Sequence, residues 1–374
     1  MQFHQILGQT EAKQHILSAM QHDKLPHALL LCGAEGIGKL AFAKAIAQYA
    51  NCLQPLSDDS CGKCANCQRS SPMIHPDVHF VLPIINKEED KGKNPLSDGY
   101  ITDFRKSFLQ DPYYSLEQWQ TFLEGANKQL NISVHEIREA KRKMLMKSFC
   151  AKFKVLIVWN AELINEKGAN AFLKILEEPP ERTLILMTTS QPGRLLPTII
   201  SRCQRLFLQK LSQEDIAADL QKTHHLSPLQ AQQIAAISDG SMVNAKGYLE
   251  EAGVALNDLY AQWLRMSYAG NYVEMNKAIE KVYKASKEFQ RNFLRLAIKK
   301  MRDSLLFHLK VPQLALVTEE DKVFHQNFSK VMSVPKAEMM LQEVENALYY
   351  IGGNANSQMV FMALSLRLFG ILRG

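Results

Sequence analysis

Residues His27–Lys39 read HALLLCGAEGIGK. The first half is an unbroken apolar run of the kind that fills a strand buried on both faces. The second half, Gly33-Ala34-Glu35-Gly36-Ile37-Gly38-Lys39, fits G-x-x-x-x-G-K and leads into a segment read as a helix from Leu40 to about Ala50. A glycine turn between a buried strand and a helix lets backbone N–H groups curl around phosphate oxygens, and the helix N-terminus adds partial positive charge. Gly33, Gly36, Gly38 and Lys39 are therefore candidate nucleotide-binding residues. The next position should carry a Ser or Thr hydroxyl for Mg²⁺. It is Leu40, so ATP can be held by backbone and lysine while the metal lacks a protein ligand.

Downstream, strands and helices alternate. Val78–Ile85 reads as a strand, 134–148 as a basic helix, and Lys154–Val158 as a strand. Glu166–Leu176 is a helix stopped by Pro179 and Pro180, Leu184–Thr188 a strand, Leu195–Ser201 a short segment, and Arg205–Leu208 a last strand. Strands separated by helices imply parallel pairing and an α/β layered domain. The stretch 86–130, punctuated by Gly92, Pro95, Gly99 and Pro112, reads as an insertion or long loop. After about residue 210 the strand signal ends. Residues 211–255 form a small helical domain and 256–374 a second, all-α one.

The strand Lys154–Val158 should end in an Asp that holds Mg²⁺ through water and a Glu that orients the attacking water. Those two positions are Trp159 and Asn160. Tryptophan binds no magnesium and asparagine is a poor base. Glu162 lies two residues further on, displaced from where catalysis needs it. The losses at Leu40 and at Trp159-Asn160 point the same way: a site that can bind phosphate but is badly built for hydrolysis.

Four of the seven cysteines, Cys52, Cys61, Cys64 and Cys67, fall in one short segment, the last three separated by two residues each. That spacing lets thiolates wrap a tetrahedral Zn²⁺ in a closed, structural site. His75 and His79 are reserve ligands, read first as a loop and a strand residue.

Together these features resemble the clamp-loader branch of the AAA+ ATPases. The resemblance spans about the first 210 residues. Its residues are Phe3–Gln9 (FHQILGQ), His27–Lys39, the four-cysteine module, His75-Pro76-Asp77, Gly168–Pro180 (GANAFLKILEEPP) and Leu184–Cys203 (LILMTTSQPGRLLPTIISRC). It implies a phosphate-loop parallel-sheet domain over 1–210 with an inserted zinc module (52–67), a helical lid over 211–255, and a collar over 256–374 that packs into a ring of subunits. In this branch the arginine of the SRC motif completes a neighbour's ATP site, so Arg202 is expected to act in trans, stabilising charge on the transferred phosphoryl. The sensor-one residue falls at Thr188 or, preferred, Thr189. The sensor-two arginine is replaced by Val243. A member with these departures is expected to be a non-hydrolysing stator within a DNA polymerase III holoenzyme, a nucleotidyltransferase. Its expected partners are other loader subunits (gamma/tau and delta), the sliding clamp and primed DNA.

The rivals are an active clamp-loader motor ATPase, a phosphate-loop kinase and a zinc-dependent DNA-binding module. Composition sets the outer bounds. With 374 residues, 46% of them hydrophobic, the chain can bury a sizeable core. No run approaches the roughly 20 apolar residues that cross a bilayer, and the expected location is cytoplasmic. Lys and Arg number 44 against 38 acidic residues, a mild excess compatible with nucleic acid. The basic face of the helix near 135–147 (Arg138, Lys141, Arg142, Lys143, Lys147) is read first as solvated, and Tyr113, Tyr114 and Trp119 as local packing. Leu294, Ile298, Met301, Leu305 and Leu309 form a helix-packing stripe, and Met359–Leu372 is a candidate inter-subunit helix.

Overall fold

The computed structural model describes residues 1–374 except 86–94, 125–128, 251–252, 316, 318, 354 and 374. It divides into two compact units, Met1–Leu211 and Ser212–Gly374.

In the first unit the strands β1 (Ala28–Cys32), β2 (Val78–Val81), β3 (Lys154–Val158), β4 (Thr183–Thr189) and β5 (Gln204–Phe207) form one sheet in the order β2-β3-β4-β1-β5. Every pairing is parallel, with Leu30 opposite Met187 and Ile157 opposite Leu186. The period-2 alternation of side chains splits the core into two layers. Leu29, Leu31, Val155, Ile157, Leu184 and Leu186 face one layer, with α1 (Thr10–Gln21) and α2 (Lys39–Ala50) contributing Ile16, Phe42 and Ile46. Leu30, Leu156, Val158, Ile185 and Met187 face the other. There α6 (Val134–Leu145), α7 (Glu166–Glu177) and α8 (Pro197–Ile200) contribute Ile137, Phe172 and Ile199. Because all strands run the same way, their carboxyl ends share one edge, where a ligand site is expected.

Two sequence expectations are corrected. The strand expected over Val78–Ile85 stops at Val81, because Pro83 has no N–H to give a ladder. Ile84 forms only an isolated antiparallel bridge with Asn131. The stretch 86–130 was expected to be irregular, yet its described part is helical. It contains α4 (Ile101–Gln110) and α5 (Leu116–Phe122), while α3 (Ala65–Ser70) lies earlier and carries Cys67. Phe104 and Phe108, then Trp119 and Leu123, recur at helical spacing and enter the same core layer as α2. Pro112 stands between α4 and α5, and Gly99 lies in a 3-10 turn (Ser97–Tyr100) that leads into α4.

The second unit is helical throughout, with α9 (Gln213–His224), α10 (Pro228–Ile237), α11 (Met242–Glu250), α12 (Gly253–Ala269), α13 (Tyr272–Tyr283), α14 (Lys287–His308), α15 (Glu319–Phe328), α16 (Val334–Gly352) and α17 (Ser357–Arg373). Helix α14 is its axis. Phe293 packs on Trp263 and Phe361, and Trp263 Nε1 donates to Ser365 Oγ at 2.8 Å. The expected stripe on α14 is only partly the buried one. Leu294 and Met301 are buried, but Leu309 is exposed, while Phe293, Leu296 and Ala297 complete the packed face. On α17 the face bearing Phe361, Leu364 and Leu368 is buried within the unit, whereas Met359 and Leu366 are exposed. Among the described residues no helix is long and apolar enough to cross a membrane.

Candidate functional site

The phosphate loop joins β1 to α2 as its pattern requires. Gly38 caps α2 at φ +87°, a conformation open to glycine. Lys39 is buried, and its ammonium donates to Gly33 O (2.9 Å), Ala34 O (2.5 Å) and Ser190 Oγ (2.9 Å). Burial pulls Lys39 down to about 8, against the upward pull of Glu35 and Glu162. Thr189 closes β4: its carbonyl accepts from Gly33 N, and its hydroxyl from Gln191 N. Thr188 Oγ1 accepts from Asn160 N. Ser190, the residue after Thr189, is the one that touches the lysine.

The positions that would hold magnesium are both hydrophobic core. Leu40 and Trp159 belong to one buried cluster, and Trp159 lies 5.1 Å from Phe104 of α4, ring centre to ring centre. Asn160 adopts a left-handed turn (φ +53°). Glu162 is spent elsewhere, with Oε1 accepting from Ser190 N at 2.9 Å and Oε2 buried without a partner.

Above the loop lie residues of the insert. Tyr113 rests on Gly38 so closely that a Cβ there would sit 2.9 Å from its Cε1. Its hydroxyl accepts from Leu7 N at 3.0 Å. Pro112, Tyr113, Tyr114 and Leu116 join Glu35, Lys39, Trp159 and Ser190 around a cleft of about 30 Å³.

The four cysteines converge. The sulfurs of Cys52, Cys61, Cys64 and Cys67 all lie within 4.8 Å of one another, with Cys61 and Cys67 3.9 Å apart. A tetrahedral thiolate site with bonds of about 2.3 Å needs sulfurs roughly 3.8 Å apart, so the set fits a metal. Backbone N–H groups point at the sulfurs: Cys61 N at Cys52, Cys64 N at Cys61, Cys67 N and Leu53 N at Cys64. Such bonds from Lys63 and Cys64 bring the Cys61 thiol down to about 6. The module is tied to the start of the chain by Asp59, whose carboxylate accepts from Phe3 N, His4 N, His4 Nδ1 and Ser60 N. Burial opposes that charge, but these hydrogen bonds win and hold the Asp59 carboxyl below its ordinary value.

His75 and His79 do not join the cysteine set. His75 lies with Asp77 and Cys150 in a second close group. There Asp77 accepts from the N–H groups of Phe149, Cys150 and Ala151, His75 Nδ1 from Asp77 N, and the Arg69 guanidinium reaches Cys150 Sγ at 3.4 Å. A carboxylate filled by backbone donors and a cation beside the thiol make this a structural clasp between two loops. His79 sits in β2, where burial, with Lys143 and Lys154 nearby, pushes it down to about 4.

Arg202 follows α8. Its guanidinium donates to Thr198 O at 2.9 Å and pairs with Glu177 at 2.6 Å, with about a third of the side chain exposed. Cys203 beside it is driven up to about 12 by burial and by Cys32. On the basic helix, Arg142 pairs with Glu139 and Lys143 with Asp98, while Glu136 accepts from Ser97 on the buried side. Val243 is buried.

A family model described as DNA polymerase III, delta subunit, matches residues 8–212, more than half of the chain. The chain belongs to the clamp-loader family of DNA polymerase III. It is 30% identical over 195 residues to the delta' subunit of Escherichia coli K12, covering 52% of this chain and 46% of that protein. It is 32% identical over 177 residues to delta' of Pseudomonas aeruginosa, covering 47% and 41%. It is 27% identical over 255 residues to the tau subunit of Bacillus subtilis, covering 67% and 37%. The chain thus spans less than half the length of these relatives.

Within this clamp-loader chain, sequence reading missed two residues at the phosphate loop. Ser190 follows two threonines of similar chemistry, and it is placed at the lysine just past the end of β4. Tyr113 lies far from the loop in sequence. Its one local signal was the D-P-Y-Y turn, in which Asp111 accepts from Tyr113 N.

Proposed function

We propose that this chain is a delta-prime-type stator of the clamp loader, a cytoplasmic subunit that holds its neighbours in register and itself hydrolyses no ATP. The carrying observation is that Leu40 and Trp159, the two positions where a hydrolytic site needs magnesium ligands, belong to one hydrophobic cluster. No small side-chain movement converts that cluster into an acidic, metal-binding edge.

In this reading Gly33, Gly36, Gly38 and Lys39 keep the loop's shape, with Leu40 as packing and Thr189 as sheet end. Arg202 serves a neighbouring subunit's ATP. Its ion pair with Glu177 is half-exposed and weakly held, so the guanidinium can exchange Glu177 for a partner's phosphate at small cost. Cys52, Cys61, Cys64 and Cys67 hold one Zn²⁺, which cross-links the segment 52–67 as a scaffold. Residues 211–255 act as lid and 256–374 as collar, with the exposed face of α17 turned to other subunits. The partners are gamma/tau and delta subunits, the sliding clamp and primed DNA.

The test is ATP turnover by a loader reconstituted with clamp and primed DNA, comparing wild type with Arg202→Ala in this subunit alone. Turnover at the site it serves should fall on the order of 10²-fold, with assembly intact by gel filtration. Unchanged turnover in an intact complex would remove the trans role. A motor reading has one observation in its favour, that the match to tau covers 67% of the chain against 52% for Escherichia coli delta'. Magnesium-dependent turnover by the isolated chain would establish it.

A further inference from the structure

We propose that the segment of α4, α5 and the turn between them is a built-in plug that keeps nucleotide off the phosphate loop, with Tyr113 as its stopper. The proposal rests on the phosphate-loop reading of Gly33–Lys39 but not on the trans role of Arg202.

Space is the first argument. The cleft at the loop has about 30 Å³ open to water, enough for one or two waters. Pockets that bury a small ligand run to roughly 300–1,000 Å³. What fills the difference is the insert's own chain: Pro112, Tyr113, Tyr114 and Leu116 line the cleft opposite the loop.

Placement is the second. The Tyr113 ring lies on Gly38, at the N-terminus of α2, where the helix would present its N–H groups to a phosphate. The hydroxyl accepts from Leu7 N at 3.0 Å, and Leu116 N reaches Glu35 Oε1 within the loop at 3.4 Å. One tyrosine thus spans from the phosphate loop to the entry segment and uses a backbone donor there. The loop's lysine is occupied as well, its three ammonium bonds going to Gly33 O, Ala34 O and Ser190 Oγ.

Anchorage is the third. The insert is not a loose flap. Phe104, Phe108 and Trp119 are fully buried, and Trp119 Nε1 donates to Pro83 O at 2.8 Å. Phe104 packs on both Trp119 and Trp159. Trp159 is the residue standing where the magnesium-binding acid would be. One position therefore both removes a metal ligand and supplies the surface on which the plug is seated. Loss of hydrolysis and closure of the site are two readings of the same contact.

The experiment is equilibrium binding of ATP and of ADP, with and without Mg²⁺, to the full chain. It compares wild type, the double variant Tyr113→Ala/Tyr114→Ala, and that double variant carrying Lys39→Ala. Wild type should show no saturable binding at about 1 mM nucleotide. The double variant should bind at least about tenfold more tightly, and the lysine substitution should abolish the gain. Saturable wild-type binding overturns the plug, and so does a double variant that melts like wild type yet binds nothing. Should the variant fail to fold, amide hydrogen exchange of the wild type decides. ATP must leave exchange over 33–40 unchanged, and nucleotide-dependent protection there sinks the proposal. Either failure leaves the trans-arginine reading standing, since that is read from a neighbour's turnover in the assembled loader.

Discussion

In the cysteine module four sulfurs converge and backbone N–H groups turn toward them. In the phosphate loop of the same unit the strand, turn and helix are in place. Yet the lysine is spent on its own backbone, the metal positions are leucine and tryptophan, and a tyrosine from elsewhere in the chain sits on the last glycine. Both motifs are legible in sequence, but they differ in where their partners come from. The module recruits its ligands from 16 consecutive residues, Cys52–Cys67, so spacing nearly fixes the site. A nucleotide site needs side chains from the ends of β1, β3 and β4 and an open space above them, so a loop can persist after its neighbours have changed.

Removal of the metal proposed for this module should have the largest effect. Structural Zn²⁺ in small modules contributes about 10–16 kcal/mol of apparent binding free energy. Stripping it with a chelator, or making Cys64→Ser, should abolish metal content and unfold residues 52–67. The checks are elemental analysis and proteolysis within that segment. A chain that contains no metal when freshly purified and resists proteolysis would break the contrast.

Restoring acid at the other site is the converse test. Trp159→Asp should cost about 3–5 kcal/mol, because it leaves a cavity against Phe104 and buries a charge. Urea unfolding measures that cost, and ATP turnover should stay absent. A stable variant that hydrolyses ATP would mean the phosphate loop is disarmed by one residue and not by its surroundings.

Asp59→Asn should cost about 1–3 kcal/mol through the lost charge-assisted bonds to Phe3, His4 and Ser60. The folded pKa of Asp59 lies below its unfolded value, so its stabilisation is present above about pH 4 and is lost as pH falls through the folded pKa. The gap between wild type and variant should therefore be full at pH 7 and shrink as pH drops below about 4. Equal stability at pH 7 would show that the carboxylate does not dock the module.

The smallest effect is expected at the residue with the strongest pattern. Lys39→Met should cost about 1 kcal/mol, because relief of a desolvated charge offsets most of the loss of its hydrogen bonds to Gly33 O, Ala34 O and Ser190 Oγ. Turnover of the reconstituted loader should not change. A marked fall would show that nucleotide at this loop matters to the assembly and would narrow the difference between the two regions.

Much of the fold could be read directly. The buried strands β1, β3 and β4 are built on apolar runs (Ala28–Cys32, Val155–Val158, Leu184–Met187), α7 ends at Glu177 just before Pro179 and Pro180, and the loss of strand signal near residue 210 coincides with the boundary between the two units. In the insert, glycine and proline mask the helical spacing of Phe104, Phe108, Trp119 and Leu123. A breaker at the end of a helix looks the same in sequence as a breaker that prevents one. Ser190 and Tyr113 had no local signal strong enough to pick them out.

The sequence alone determined the strand–loop–helix around Lys39, the metal-binding capacity of the four cysteines, and the absence of magnesium ligands at Leu40 and Trp159. These are properties of residue type and short-range spacing. Only the tertiary structure decided that Ser190 holds the lysine, that Glu177 holds Arg202, and that Tyr113 covers Gly38. Those contacts join residues 25 to 151 positions apart. Their existence depends on which strand ends share an edge and which helices share a core layer, and no local pattern encodes that.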